Sequence, residues 1–553
     1  MRTSDQVPND DERAMQFGTR NGMMEWSFHT QQAYADPFNE VEFSVVFRDP
    51  DGIEKTVPGF WSGGNCWRVR FASPVIGRHT YESRASNAAD TGLHGQTGEF
   101  EVVPYEGDNP LLQHGAIRVS DNQRHFEHQD GTPFFWLGDF WTMGLVKQLR
   151  WPDDFQLLTQ DRATKGFNVV VLIAGLIPDM PPFDERGANE GGHPWEPEFT
   201  RINPAYFDMM DLRIAWLVHS GLVPCIFGCW GYFLSELGVD KMKQHQRNLV
   251  ARYGAYPCVW APAGEVMMSY YLSEDEEAES AFQRANWPVL VNYLRETDPF
   301  DRMITLHPRH GGPHEIRDCA HNVIDDVSIL DFDMLQTGHG DRGSVPNTVE
   351  RVVESYVHEP TMPVIVGEVC FEGHCGANWQ NVQRQVFWSA VLSGAAGHTY
   401  GANGVEHINT DENPFGVTPQ GTGWCYLSWE EGCQLPGSRQ IGLGKKLLER
   451  YEWWRLQPHP EWVDPNWTQD EYFFPYAAGI PGELRIIYSA NNEMVIRHLE
   501  PDVSYNAFWF DPMYGNDIPI GPAQGDQNGD WKSPPFPIYR DWILVLEPTE
   551  PQA

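Results

Sequence analysis

The chain of 553 residues is short of positive charge: Lys and Arg total 39 against 77 Asp and Glu, a formal net charge of −38. That balance disfavours nucleic acid as a partner, because neutralising phosphates takes clustered Lys and Arg. It disfavours anionic polysaccharides too, unless a local basic cleft overrides the average. Otherwise it reads as a surface kept soluble by self-repulsion. No run of roughly 18 or more apolar residues exists, so no membrane-spanning segment is expected. Met1-Arg2-Thr3-Ser4-Asp5-Gln6 holds no apolar h-region. The expectation is a cytoplasmic protein, or a secreted one if a leader has been removed. No dinucleotide fingerprint or P-loop follows any strand-like run, and no cofactor is expected.

Paired cysteines are lacking as well. The nine are Cys66, Cys225, Cys229, Cys258, Cys319, Cys370, Cys375, Cys425 and Cys433. The odd number and their apolar settings indicate reduced, buried thiols. Cys370, His374 and Cys375 offer ligand chemistry, but no matching second pair exists, so no metal is expected.

What the sequence does have is an ordinary apolar fraction of 41% and a heavy aromatic load of 22 Trp, 20 Tyr and 30 Phe. Such rings build cores and also stack on the apolar faces of sugars. A chain this long should hold about two to four domains. Residues 1–110 read as short strands and turns, among them Val41–Phe47, Trp67–Phe71, Gly77–Arg84 and Gly98–Val103, and suggest a β-sandwich. Residues 461–553 return to that pattern, with strands expected at Glu471–Phe474, Leu484–Tyr488, Asn506–Phe510 and Trp542–Leu546.

Residues 111–460 alternate strand-like and helical stretches. Eight runs can be placed: Pro133–Asp139, Asn168–Ile173, Leu222–Gly228, Pro257–Gly264, Arg302–His307, Ile329–Leu335, Pro363–Gly367 and Gly394–Tyr400. Helices are expected over Asp153–Lys165, Pro204–His219, Lys241–Tyr253, Glu274–Glu296, Val349–His358, Trp379–Leu392 and Arg439–Trp454. Eight such units in one segment argue for a (β/α)8 TIM barrel between two sandwiches, rather than an open sheet. The long Pro- and Gly-rich loop between the second run and Asn203 is expected to serve function.

Two glutamates follow apolar runs: Glu265 after the fourth and Glu368 after the seventh. Catalytic groups of such barrels come from the carboxyl ends of strands. Two carboxyls facing each other there are the equipment for hydrolysing a glycosidic bond, one as acid and one as nucleophile. Glu265 is therefore expected as acid/base and Glu368 as nucleophile. Asp139, Trp141, Trp230, His307, Gln336, His339, His398 and Tyr400 are expected to bind substrate, with Arg309, His310 and Asp333 completing a polar ring.

Three stretches resemble the apiosidase-like glycoside hydrolases (glycoside hydrolase family 140 and its relatives). They are Asp130-Gly131-Thr132-Pro133-Phe134-Phe135-Trp136-Leu137-Gly138-Asp139, Asp161-Arg162-Ala163-Thr164-Lys165-Gly166-Phe167-Asn168, and Ser393-Gly394-Ala395-Ala396-Gly397-His398-Thr399-Tyr400-Gly401, together with Val366-Gly367-Glu368. Trp509-Phe510-Asp511-Pro512 is similar to a C-terminal sandwich of the collagen-binding type, and the first domain to the sandwich that often precedes such barrels. The resemblance implies a retaining hydrolase of plant or microbial glycans with acids on the fourth and seventh strands. The related clan carries Asn before the acid, and apiosidase-like proteins carry Asp as the acid; here the pair is Gly264-Glu265. Apiose is accordingly not carried over as substrate.

Together these readings predict an exo-acting, retaining glycosidase of neutral oligosaccharides or glycosides, with a carbohydrate as its partner. Homo-oligomer formation is compatible with them. The rivals are a carbohydrate-binding barrel that has lost catalysis and a polysaccharide lyase, the latter disfavoured by the acidic chain.

Overall fold

The computed structural model describes residues 16–310, 318–490 and 494–549; the reading of the amino terminus rests on residues outside these. The centre is one parallel sheet of seven strands. Trp136–Trp141 (β1), Val169–Ile173 (β2), Val223–Phe227 (β3), Val259–Ala261 (β4), Asp333–Gln336 (β5), Val364–Glu368 (β6) and Gly397–Tyr400 (β7) run in the order β4-β3-β2-β1-β7-β6-β5. Their residues are buried throughout. Burial on both faces is why they read as continuous apolar runs rather than alternating ones.

The long helices are Asp153–Lys165 (α1), Pro204–His219 (α2), Phe233–Tyr253 (α3), Glu276–Thr297 (α4), Ser344–Val357 (α5), Gln380–Leu392 (α6) and Pro436–Leu448 (α7). Local chemistry sets their ends. Pro204 opens α2 behind an Asn203 side chain that accepts from the Ala205 N–H. Asp275 does the same for α4. α3 starts earlier than the sequence suggests and turns at Gly238, whose φ of 74° is open to glycine at no steric cost.

The fold is a curled parallel sheet of seven strands among helices, where eight strands closed into a barrel were expected. The fifth expected run, Arg302–His307, is bridged to β4 through Trp260 N–H to Met303 O (2.9 Å) and Thr305 N–H to Trp260 O (3.0 Å). On its other side the Ile304 N–H goes to the Asp331 carboxylate (2.6 Å) and the Thr305 hydroxyl to Phe332 O (2.8 Å). Side chains there take bonds that a ladder would use, so the run does not register as a strand. The first run divides: Pro133–Phe134 joins Phe126–His128 and Ile117–Val119 in a small antiparallel sheet, at whose edge a proline costs no ladder bond.

Before this centre lie two sheets. One orders Gln16–Thr19, Thr97–Val103, Gly77–Ala85, Phe43–Arg48 and Glu54–Pro58; the other holds Met24–His29, Cys66–Phe71 and Phe60–Trp61. Aromatic rings fill the space between them, with Phe47 stacked on Phe71 at 4.2 Å and Trp26 4.9 Å from Phe100. After the centre, six strands from Gln457 to Pro548 pack on a three-stranded sheet. Glu471–Phe474 is a turn closed by bonds back to Thr468 and Glu471, and the strand is Tyr476–Ile480, beyond Pro475. Among the described residues no helix is long and apolar enough to cross a membrane.

One buried ion pair ties β1 to α1. Arg162 Nε donates to Asp139 Oδ2 at 2.5 Å, Trp141 Nε1 donates to the same oxygen at 2.6 Å, and Arg162 Nη1 reaches Cys433 O at 3.1 Å. Removing one member strands a buried charge. Arg162→Met should cost about 3–5 kcal/mol of folding stability in a denaturant titration; a loss below about 1 kcal/mol would show that the pair does not hold these elements together.

Candidate active site

β4 ends at Ala261, and Pro262-Ala263-Gly264 carries the chain to Glu265. A Cβ on Gly264 would lie 2.3 Å from the Trp230 ring, so only glycine lets the indole lie across this turn. Glu265 itself has φ 42°, a left-handed conformation that a non-glycine residue adopts at a cost and that often marks functional positions. Its backbone N–H donates to His307 Nδ1 at 3.2 Å. That bond makes Nδ1 an acceptor, so the ring proton sits on Nε2. Nε2 in turn lies 3.2 Å from Glu368 Oε2, where its N–H dipole favours the ionised carboxylate although it is out of line for a hydrogen bond.

Glu368 is the last residue of β6. Its Oε1 accepts from Gln336 Nε2 at 3.0 Å and from His339 Nε2 at 2.8 Å. The same Gln336 nitrogen donates to Glu265 Oε1 at 2.8 Å. Gln336 ends β5, where the pairing with β6 slips by one residue; such a slip re-aims a side chain. Its side-chain oxygen, Oε1, accepts from the His310 N–H at 2.8 Å. Two carboxyl oxygens that share one donor cannot be further apart than its two bonds laid end to end. That limit is compatible with the roughly 5–5.5 Å typical of retaining carboxyl pairs.

The two acids differ electrostatically. Enclosure raises the Glu265 carboxyl above the usual range, and the negative charge of Glu368 raises it further. Burial would raise Glu368 also, but His307 and His339 outweigh it and hold that carboxyl well below the usual range. One acid therefore keeps its proton under conditions where the other is ionised.

Both line a cavity of about 380 Å³, together with Trp230, Gln336, His339, Arg309 and His310. His307 stands behind the pair. Besides His307, four expected contacts do not line the cleft. Asp139 and Trp141 face α1, against Arg162 and Phe155. His398 packs on Phe387 of α6, and the Tyr400 hydroxyl donates to Glu372 at 2.5 Å. Successive residues of a strand point to opposite faces, and it is Phe140 of β1, with Thr142 just past its end, that reaches the cavity. Asp333 sits at the opposite end of β5 from Gln336, bonded to His321 at 2.6 Å.

Other residues of the cleft did not stand out in the sequence. Asp179 comes from the long loop after β2; Glu406 comes from the loop after β7, with His374 and Trp424 nearby. Their signal was position alone, in loops at the carboxyl ends of strands. Among the described residues, Cys370, His374 and Cys375 do not gather as a ligand cluster. Among the described residues, Cys319, His321 and Asp333 cluster within 4.8 Å. The His321–Asp333 distance is that of a hydrogen bond, so these two already satisfy each other.

Residues 120–455 match the family model described as "Apiosidase-like, catalytic domain", and residues 20–86 one described as "Domain of unknown function (DUF5060)". A solved glycoside hydrolase is 21% identical over 81% of this chain and 100% of its own, with a TM-score of 0.65. A glycoside hydrolase family 5 structure from Bacteroides vulgatus is 20% identical over 81% of this chain and 96% of its own, also at 0.65. A candidate glycoside hydrolase from the same organism is 17% identical over 97% of this chain and 100% of its own, at 0.69. These likenesses show a glycoside-hydrolase-like fold. No curated protein matches the chain.

Replacing His339 with Ala removes a donor to the ionised form of Glu368, so the pKa of that carboxyl should rise. NMR titration of carboxyl-labelled glutamates would register the shift; an unmoved Glu368 would show that His339 is not what keeps it ionised.

Proposed function

The chain belongs to the apiosidase-like family of glycoside hydrolases, and on that footing we propose that it is a retaining, exo-acting glycosidase of neutral oligosaccharides or glycosides. Glu368 is the nucleophile and Glu265 the general acid/base. The observation that carries this reading is the pair of carboxyls tied to one Gln336 amide nitrogen and shifted in opposite directions.

In the first step the ionised Glu368 attacks the anomeric carbon while Glu265 gives its proton to the leaving oxygen. An ester between sugar and Glu368 forms as the glycosidic bond breaks. In the second step the Glu265 carboxylate takes a proton from water, whose oxygen attacks the anomeric carbon and frees Glu368. His307 and His339 favour the ionised nucleophile, Gln336 spaces the two acids, and Trp230 offers a ring face to the sugar. A cavity of about 380 Å³ lies at the small end for ligand sites and suits a chain end. Its wall carries Asp179, Glu265, Glu276, Glu368 and Glu406 against Arg309, which favours a neutral sugar over the uronate a lyase would need.

We read Arg302–His307 as the fifth position of an eight-fold barrel spanning residues 111–460, with separate sandwiches over 1–110 and 461–553.

Glu368→Gln should abolish sugar release from a panel of plant and bacterial glycans; wild-type rates in that variant would defeat the assignment. Glu265→Ala should lose about a hundredfold or more on substrates with poor leaving groups and much less on activated aryl glycosides. Equal losses on both would count against the acid/base role. Because Glu265 must carry a proton for the first step, activity should fall as pH rises through its raised pKa. On an activated aryl glycoside that alkaline limb should vanish in Glu265→Ala, and a limb that stays would place the titrating group elsewhere.

A further inference from the structure

Glu406 is a third carboxyl of the cleft, and the double displacement leaves it without a task. The backbone pins it: its N–H donates to Ala402 O and its carbonyl accepts from the Met143 N–H, each at 3.1 Å. The side chain is only 13% exposed and lines the same cavity as Glu265 and Glu368. Neither of its oxygens accepts a hydrogen bond from any described residue. The closest cation is His407, whose Nδ1 lies 3.7 Å from Oε2.

His407 is fully buried, and its other nitrogen, Nε2, is bonded to Asp179 Oδ2 at 2.9 Å. The Tyr271 hydroxyl bonds the second oxygen of Asp179. Burial works against charge on His407, but a carboxyl on either side of the ring raises its pKa well above the ordinary value. A rigid unit of Asp179, imidazolium and Glu406 therefore forms one wall of the cleft. Asp179 has both oxygens occupied, and Glu406 has neither.

A nearly buried carboxyl without donors is costly, and native proteins rarely keep one unless something else satisfies it. Here its oxygens open into the cavity, where water or the hydroxyls of a ligand can supply the donors. With Asp179 and Glu368 close by, an anionic group would be repelled. The hydroxyls of a neutral sugar would not be. The two oxygens of one carboxyl also match two adjacent ring hydroxyls.

We propose that Glu406 is a specificity-determining residue that receives two neighbouring hydroxyls of the glycosyl unit held against Glu368, oriented for this by His407 and Asp179. The proposal rests on the glycosidase reading above. Burial, with the charges of Asp179 and Glu368, raises the Glu406 carboxyl to about 7, so near neutrality it can donate to a hydroxyl as well as accept.

The test uses the full chain and a panel of neutral p-nitrophenyl glycosides. The one that the wild type hydrolyses fastest is compared with its monodeoxy analogues. Glu406→Ala should lower kcat/KM on the parent glycoside roughly tenfold to a hundredfold. The wild type should lose a similar factor on the analogue lacking a hydroxyl held by Glu406. On that analogue the variant should lose little more, because the same bond is already gone. Glu406→Gln, which keeps the shape, carries the comparison if the alanine variant melts early. Losses that multiply, or a variant within twofold of wild type, overturn this inference alone. No hydrolysis by the wild type overturns the glycosidase reading and this inference with it.

Discussion

The centre of the structure is one amide nitrogen shared between two acids. Gln336 Nε2 bonds Glu265 and Glu368 at once, and that bridge keeps two carboxyl groups side by side in an enclosed space. Left alone, such a pair would resist ionising twice. The surroundings break the symmetry. His339 bonds Glu368 and the His307 Nε2 lies against it, so ionisation falls to that side and the proton stays on Glu265.

The fold provides the rigidity this needs. Glu368 and Gln336 end adjacent strands of a parallel sheet whose residues are buried on both faces. Glu265 is reached through a turn that a side chain at Gly264 would block. Away from the site, buried polar pairs join the layers: Asp139 with Arg162 between β1 and α1, and Arg384 of α6 with Asp541, just before the last strand of the C-terminal sheet. These groups support the site from behind and do not touch it.

Much of this was legible in the sequence. Apolar runs broken by helical spacing gave the parallel sheet, and acids placed after two of those runs marked Glu265 and Glu368. α1 and α2 have the ends read for them, because Gly166 and the Asn203-Pro204 pair punctuate the chain there. Strand faces were harder. A run buried on both sides lacks the alternation that tells inward from outward, so Asp139, Trp141, His398 and Tyr400 were expected in the cleft and face the helices. Asp179 and Glu406 escaped notice because loop residues carry no periodicity. The side-chain bonds from Asp331 and Thr305 that stand in for a ladder along Arg302–His307 were likewise beyond pattern reading.

The central claim is a covalent one, that the ionised acid at the end of β6 bonds to the sugar. It is tested most directly by incubating the protein with a 2-deoxy-2-fluoro glycoside bearing a good leaving group and mapping the mass of its peptides. The account predicts a peptide containing Glu368 heavier by one fluoroglycosyl group. A label on any other residue, or an unlabelled protein whose product has inverted configuration, would contradict it.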